Sequence, residues 1–238
     1  MIENSTNSAA NAAANSDAQG FAAANPTSDA SYVFNVLILD ESGSMGSIAS
    51  AAKEVFEGYL HRLIQEQQDI PDLTQYINMW TFGKPYVNEN IPLVKIRSWD
   101  KVFPEYCPTG NTPMFDAIGM SIHKLKESLR ILDLQKEQYQ VKVFIVSDGA
   151  ENASQEYKAS QIGALIRGLI AEGWAFDYYG TDHDITSMAD TLNIESNRRV
   201  MFQKSKAGME SARDQYMAEI MKEKMSFMES RRSDSSKK

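Results

Sequence analysis

The chain has 238 residues and a formal net charge of −8, with 42% hydrophobic and 24% charged residues; this is an ordinary globular composition, and its acidity argues against general nucleic-acid binding, which needs a basic face. A single cysteine, Cys107, excludes an internal disulfide and a zinc site of several thiolates. No apolar run approaches the length needed to cross a bilayer, so membrane insertion is not expected.

Residues 1–31 are almost all Ala, Asn and Ser, too poor in apolar surface to offset the entropy of ordering. The stretch has neither the basic n-region nor the apolar h-region of a signal peptide. It reads as a disordered leader or tether, or as an Ala-rich helix that forms on a partner. The lone cysteine is compatible with a reducing compartment, and the expected location is cytoplasmic. The folded unit is expected over residues 32–229, with a disordered polar tail over 230–238.

From Tyr32 the elements alternate. Val36, Leu37, Ile38 and Leu39 form a continuous apolar run, as in a strand covered on both faces. It ends in Asp40-Glu41-Ser42-Gly43-Ser44, where glycine allows a sharp turn. Ile48, Ala52, Val55, Phe56, Tyr59, Leu60, Leu63 and Ile64 then recur at helical spacing. Tyr76 to Phe82 reads as a second strand and Ile91 to Trp99 as a third, with Pro92 suited to a sheet edge. The short gap between them predicts a hairpin, hence one antiparallel edge strand.

A loop from Pro104 to Pro113 leads into an amphipathic helix carrying Phe115, Ile118, Ile122, Leu125, Leu129 and Leu132. Tyr139 to Ser147 is a buried strand that ends in Asp148-Gly149. A helix follows on Ile162, Leu165, Ile166, Leu169 and Ile170, then a strand from Trp174 to Tyr179 and a short helix around Ile185 to Leu192. Arg199 to Phe202 is the last strand. Lys206 to Met228 is a closing helix with Met209, Tyr216, Met217, Ile220 and Met221 on its apolar side. The alternation predicts an α/β fold: a doubly wound, mostly parallel sheet with helices on both faces.

Three features fall at strand carboxyl ends or helix amino ends, where open α/β sheets place ligands. Asp40, Ser42 and Ser44 follow the first strand, Thr112 precedes the central helix, and Asp148 ends a later strand. Carboxylates and hydroxyls are the oxygen donors that a hard cation takes. Each also has a structural explanation: Asp40 and Ser42 are good helix caps, and Asp148-Gly149 makes a turn. Asp116 reads as an exposed or capping carboxylate, and Glu41 and Glu151 as rim residues facing solvent. His61, His123 and His183 are too scattered for a zinc pair. Cys107 reads as a packed or idle thiol.

The pattern Asp40-x-Ser42-x-Ser44, followed by Thr112 in Thr-Gly-Asn-Thr-Pro-Met-Phe-Asp-Ala-Ile and Asp148 in Phe-Ile-Val-Ser-Asp-Gly, resembles the metal-ion-dependent adhesion site (MIDAS) of von Willebrand factor type A (VWA) domains. The resemblance covers roughly Tyr32 to Phe202, with Thr109 as the rival threonine. Ser147–Ser154 and Gly173–Phe176 are similar to stand-alone bacterial members. It implies the Rossmann-like VWA fold and a metal site of Asp40, Ser42, Ser44, Thr112 and Asp148. The serines and threonine would bind the ion directly and the aspartates through water. The implied ion is Mg²⁺, with Mn²⁺ a substitute and Ca²⁺ a weaker one. It would accept a carboxylate from a protein partner with an exposed Asp or Glu. An open-to-closed shift that moves Thr112 and the C-terminal helix is also implied.

The expected function is a non-catalytic, metal-dependent protein-binding module, with no catalytic residues. One alternative is a metal-dependent phosphatase or hydrolase using Asp40. Against it, Ser42 stands where a second acid would, and the chain has neither a paired base nor a Gly-rich phosphate loop. The other alternative is a scaffold that binds partners without metal.

Overall fold

The opening strand is central because its apolar run serves both faces of the sheet. β1 (Ser31–Asp40), β2 (Leu73–Phe82), β3 (Val87–Lys95), β4 (Tyr139–Val146), β5 (Ala175–Gly180) and β6 (Arg199–Met201) form one sheet in the order β3-β2-β1-β4-β5-β6. β2 and β3 pair antiparallel and every other pair is parallel. The helices are α1 (Ala49–Asp69), α2 (Met114–Leu132), α3 (Ala159–Ala171), α4 (Ile185–Thr191) and α5 (Lys206–Ser235). The structure, a computed structural model, describes residues 31–70, 72–83, 86–99, 102–181, 185–203 and 205–235. The Ala/Asn/Ser leader up to residue 30, His183 and residues 236–238 lie outside the described residues. Among the described residues, no helix is long and apolar enough to cross a membrane.

Alternate side chains of a strand point to opposite faces, and β1 shows this directly. Phe34, Val36 and Ile38 pack with Ile118, Ile122 and Leu125 of α2, Ile162 and Ile166 of α3, and Met188 of α4. Leu37 and Leu39 pack with Val55, Phe56, Tyr59 and Leu63 of α1, and with Met209, Met217 and Ile220 of α5. The sheet is thus covered on both sides, as parallel pairing requires.

Several boundaries differ from the sequence expectation: β2 starts at Leu73, three residues before Tyr76. The third strand begins at Val87 and stops at Lys95, with a short 3₁₀ turn over Ile96–Ser98. Its first residues, Val-Asn-Glu-Asn, carry little alternation; they are held by the ladder with β2, where Phe82 pairs with Val87 and Thr81 with Asn88. At the other end, α5 runs through Ser235 into the stretch expected to be disordered from 230. Ser230 and Ser233 donate back to the carbonyls of Phe227 and Glu229 at 2.7 and 3.0 Å.

α5 is anchored by charge as well as by methionine. Lys224, fully buried, donates to Glu66 of α1 and to Gln75 of β2, both at 2.8 Å. Burial pulls the Lys224 amine below its ordinary pKa, and Glu66 opposes that shift. One residue earlier, Glu223 pairs with Lys142 of β4 and with Arg198, and Arg198 reaches Asp177 of β5 at 3.3 Å.

A candidate metal centre at the carboxyl rim

β1 and β4 run side by side with Leu39 level with Val146. The next residues, Asp40 and Ser147, therefore leave the strands as neighbours. β2 lies on one side of β1 and β4 on the other, so the winding reverses here; such a switch point is where open α/β sheets bind ligands.

Asp40 is buried, and its carboxylate accepts from Ser147 Oγ at 2.5 Å and from the Ser42 amide at 2.7 Å. Burial pushes its pKa up to about 6; the Ser147 and Ser42 hydrogen bonds oppose the rise, and the charge of Asp148 adds to it. Ser42 Oγ lies 3.0 Å from Ser44 Oγ, and Ser44 Oγ donates to Asp148 Oδ1 at 2.6 Å. The hydroxyls therefore run in a continuous chain to the second carboxylate.

The loop before α2 is laced to this cluster. Tyr106 donates its hydroxyl to the Asp40 carbonyl at 2.5 Å, and the Cys107 amide donates to the Glu41 carboxylate at 2.6 Å. Thr109 N donates to the Glu41 carbonyl at 2.7 Å and Gly43 N to the Gly110 carbonyl at 3.1 Å. Thr112 is buried. A Cβ placed on Gly149 would stand 3.3 Å from Ser44 Oγ and 3.7 Å from Thr112 Oγ1. The absent side chain of Gly149 thus leaves open a space flanked by hydroxyls from two loops. Of the two threonines, Thr112 is the one whose hydroxyl reaches the Asp148 loop.

The structure therefore brings Asp40, Ser42, Ser44, Thr112 and Asp148 to one rim. Among the described residues, no group of three or more His, Cys, Asp or Glu side chains is placed to hold a metal ion. The rim offers a different donor set, hydroxyl oxygens around two carboxylates. That set suits a hard divalent cation, which would also offset the charge of a desolvated aspartate beside a second one. His61 is on α1 and His123 on α2, helices that cover opposite faces of the sheet.

Three acidic residues differ from expectation. Asp116 is buried, not exposed, because it has N–H donors to accept: those of Gln155, Glu156 and Tyr157 at 2.7, 3.0 and 2.8 Å, and the Tyr86 hydroxyl. Glu41 is buried through its bond to Cys107. Glu151 is half-buried and takes the amides of Phe115, Ala153 and Ser154 at 2.9, 2.8 and 2.8 Å. Ser147, Tyr106 and Asn152 were not singled out from sequence. For Ser147 a signal existed: it is a hydroxyl residue directly after the apolar run of β4 and directly before Asp148.

The strand order, with helices on both faces, defines a doubly wound α/β domain. Solved structures refine the class. The VWA domain of SpRpn10 matches with a TM-score of 0.53 at 15% identity, over 76% of this chain and 94% of that one. The vWF domain of the type V pili tip protein Mfa5 from Porphyromonas gingivalis matches with a TM-score of 0.52 at 12% identity, over 80% and 95%. The pilus adhesin SpaC from Lactobacillus rhamnosus GG gives 0.60 at 13% identity over 81% of this chain, which spans only 30% of SpaC. The chain likewise spans 46% of proximal thread matrix protein 1 from the mussel byssus, with a TM-score of 0.52 at 14% identity over 79% of this chain. The protein has the VWA fold. No protein-family model and no curated protein matches its sequence.

Proposed function

We propose that this domain is a non-catalytic, divalent-metal-dependent protein-binding module. One observation carries the reading: the hydroxyl chain from Ser42 through Ser44 to Asp148, set beside buried Asp40 at the switch point of the sheet. Asp40, Ser42, Ser44, Thr112 and Asp148 would hold the cation. Mg²⁺ suits such an oxygen set, with Mn²⁺ as a substitute and Ca²⁺ weaker.

Three of the five donors are neutral hydroxyls, so a bound ion would retain enough positive charge to attract an anionic oxygen. The protein's own residues prepare for this. Ser147 and the Ser42 amide fix the Asp40 carboxylate. Asp148 accepts the hydrogen bond of the Ser44 hydroxyl, which turns that hydroxyl's lone pairs away from Asp148. The fitting ligand is an exposed Asp or Glu on a protein partner, met in the cytoplasm. Two structures that share the fold, SpaC and Mfa5, are a pilus adhesin and a pili tip protein, which supports a binding role.

The test is capture of partner proteins by the immobilised chain in Mg²⁺ and in chelator. Retention in Mg²⁺ that is lost on chelation is the expected result. Partners held equally in both would place binding on another surface.

A further inference from the structure

We infer that Asn152 and Glu151 are positioning residues that hold Thr112 against the Asp148 loop, so that the rim is assembled before any cation arrives. This rests on the metal-dependent reading above. Thr112 lies in an irregular loop, and its hydroxyl reaches the rim only if that loop is fixed from outside.

Asn152 fixes it twice. Its Oδ1 accepts the Thr112 amide at 2.9 Å, and its own amide donates to the Thr112 carbonyl at 3.2 Å. Both backbone polar groups of Thr112 are thereby spent on one residue, four positions after Asp148. Glu151 fixes the start of α2: its Oε2 accepts the Phe115 amide at 2.9 Å. The first amides of a helix have no partner within it and favour a carboxylate. The other oxygen of Glu151 closes its own loop through Ala153 and Ser154. On the far side of Thr112, Glu41 and Gly43 hold Cys107, Thr109 and Gly110. The Thr112 loop is thus pinned to the end of β1 on one side and to the end of β4 on the other.

Asn152 is exposed, so Asn152→Ala leaves the core untouched and removes only the side-chain bond to the Thr112 amide, while the backbone bond to the Thr112 carbonyl stays. Groups that orient metal ligands from behind change metal affinity by about 10- to 100-fold. Two measurements on the full chain decide the matter: Mn²⁺ titration calorimetry, and hydrogen exchange at the Thr112 amide in metal-free protein. We expect Asn152→Ala to weaken Mn²⁺ binding at least ~10-fold and to speed Thr112 exchange to a similar degree, with β1 amides unchanged. Asn152→Asp keeps the acceptor oxygen and should retain slow exchange. Glu151→Ala should speed exchange at Phe115.

Wild-type exchange at Thr112 in Asn152→Ala would overturn the inference, as would unaltered Mn²⁺ affinity in that variant. A Thr112 amide that is protected in the wild type only after metal is added would overturn pre-assembly. If the wild type binds no Mn²⁺ at all, the metal-dependent reading fails, and the metal-free exchange comparison still decides what holds Thr112.

Discussion

The Ser44 hydroxyl donates to Asp148 Oδ1 at 2.6 Å and so joins two loops that stand 104 residues apart in the chain. This contact closes the rim between the ends of β1 and β4. It also fixes the direction of the Ser44 proton. Ser44→Ala should therefore weaken Mg²⁺ binding by more than ~10-fold, while folding stability falls by about 1.5–3 kcal/mol, the net worth of a hydrogen bond to a charged group. Calorimetric titration and urea unfolding measure the two effects separately. Unaltered affinity would remove Ser44 from the site.

Gly149 offers a test by filling rather than by deletion. A methyl group there would stand 3.3 Å from Ser44 Oγ and 3.7 Å from Thr112 Oγ1, in the space between the two hydroxyls. Gly149→Ala should reduce Mg²⁺ affinity by about tenfold or more, with stability held within about 1 kcal/mol. A loss of stability without a loss of affinity would show that the space is needed for packing and not for an ion.

Lys224 and Glu66 lie at 0% exposure and 2.8 Å apart. Removing one partner of a buried pair leaves an uncompensated charge and costs about 3–5 kcal/mol. Glu66→Ala should fall in that range by urea denaturation. Glu66→Leu combined with Lys224→Met should recover most of the loss, because an apolar pair of similar volume is often neutral in such a place. If the double variant were as unstable as the single one, a unique role for the charges would follow.

Asp177 gives the chain a pH dependence of known sign. Burial pushes its carboxyl up to about 6, against the pull of Arg198. Between pH ~4 and about 6 the folded chain therefore holds a proton that the unfolded chain, with an ordinary value of about 3.9, has already released. The stability from this group is full below pH ~4 and is lost as the pH rises through about 6. Asp177→Asn lacks this slope. The stability of wild type minus that of the variant should fall by roughly 2 kcal/mol between pH ~4 and ~7. Asp40 shifts in the same direction in both proteins and cancels from the difference. A difference that stays constant with pH would contradict the assignment.

The strand and helix order was legible because β1 and β4 are apolar runs and the faces of α1 and α2 recur at helical spacing. The five rim residues were legible because each stands at a strand or helix end with an oxygen-bearing side chain. What escaped was burial that depends on distant donors. Asp116 is buried only because the amides of Gln155, Glu156 and Tyr157 fold back onto it, and nothing near Asp116 in sequence announces them. Glu41 depends in the same way on Cys107. Lys224 was hidden for the opposite reason. It lies on the stripe with Met217, Ile220 and Met228, all buried, and because a lysine is almost never fully buried unless paired, its charge masks the inward spacing.

Whether the rim holds a divalent cation is decided by thermal unfolding with and without Mg²⁺. A ligand bound only by the folded state at 100 times its Kd stabilises by about 2.7 kcal/mol. The wild-type unfolding midpoint should rise with Mg²⁺ to a plateau, and this rise should be absent in Asp40→Ala. A wild-type midpoint indifferent to Mg²⁺ and Mn²⁺, or an equal rise in Asp40→Ala, would contradict a cation at the rim.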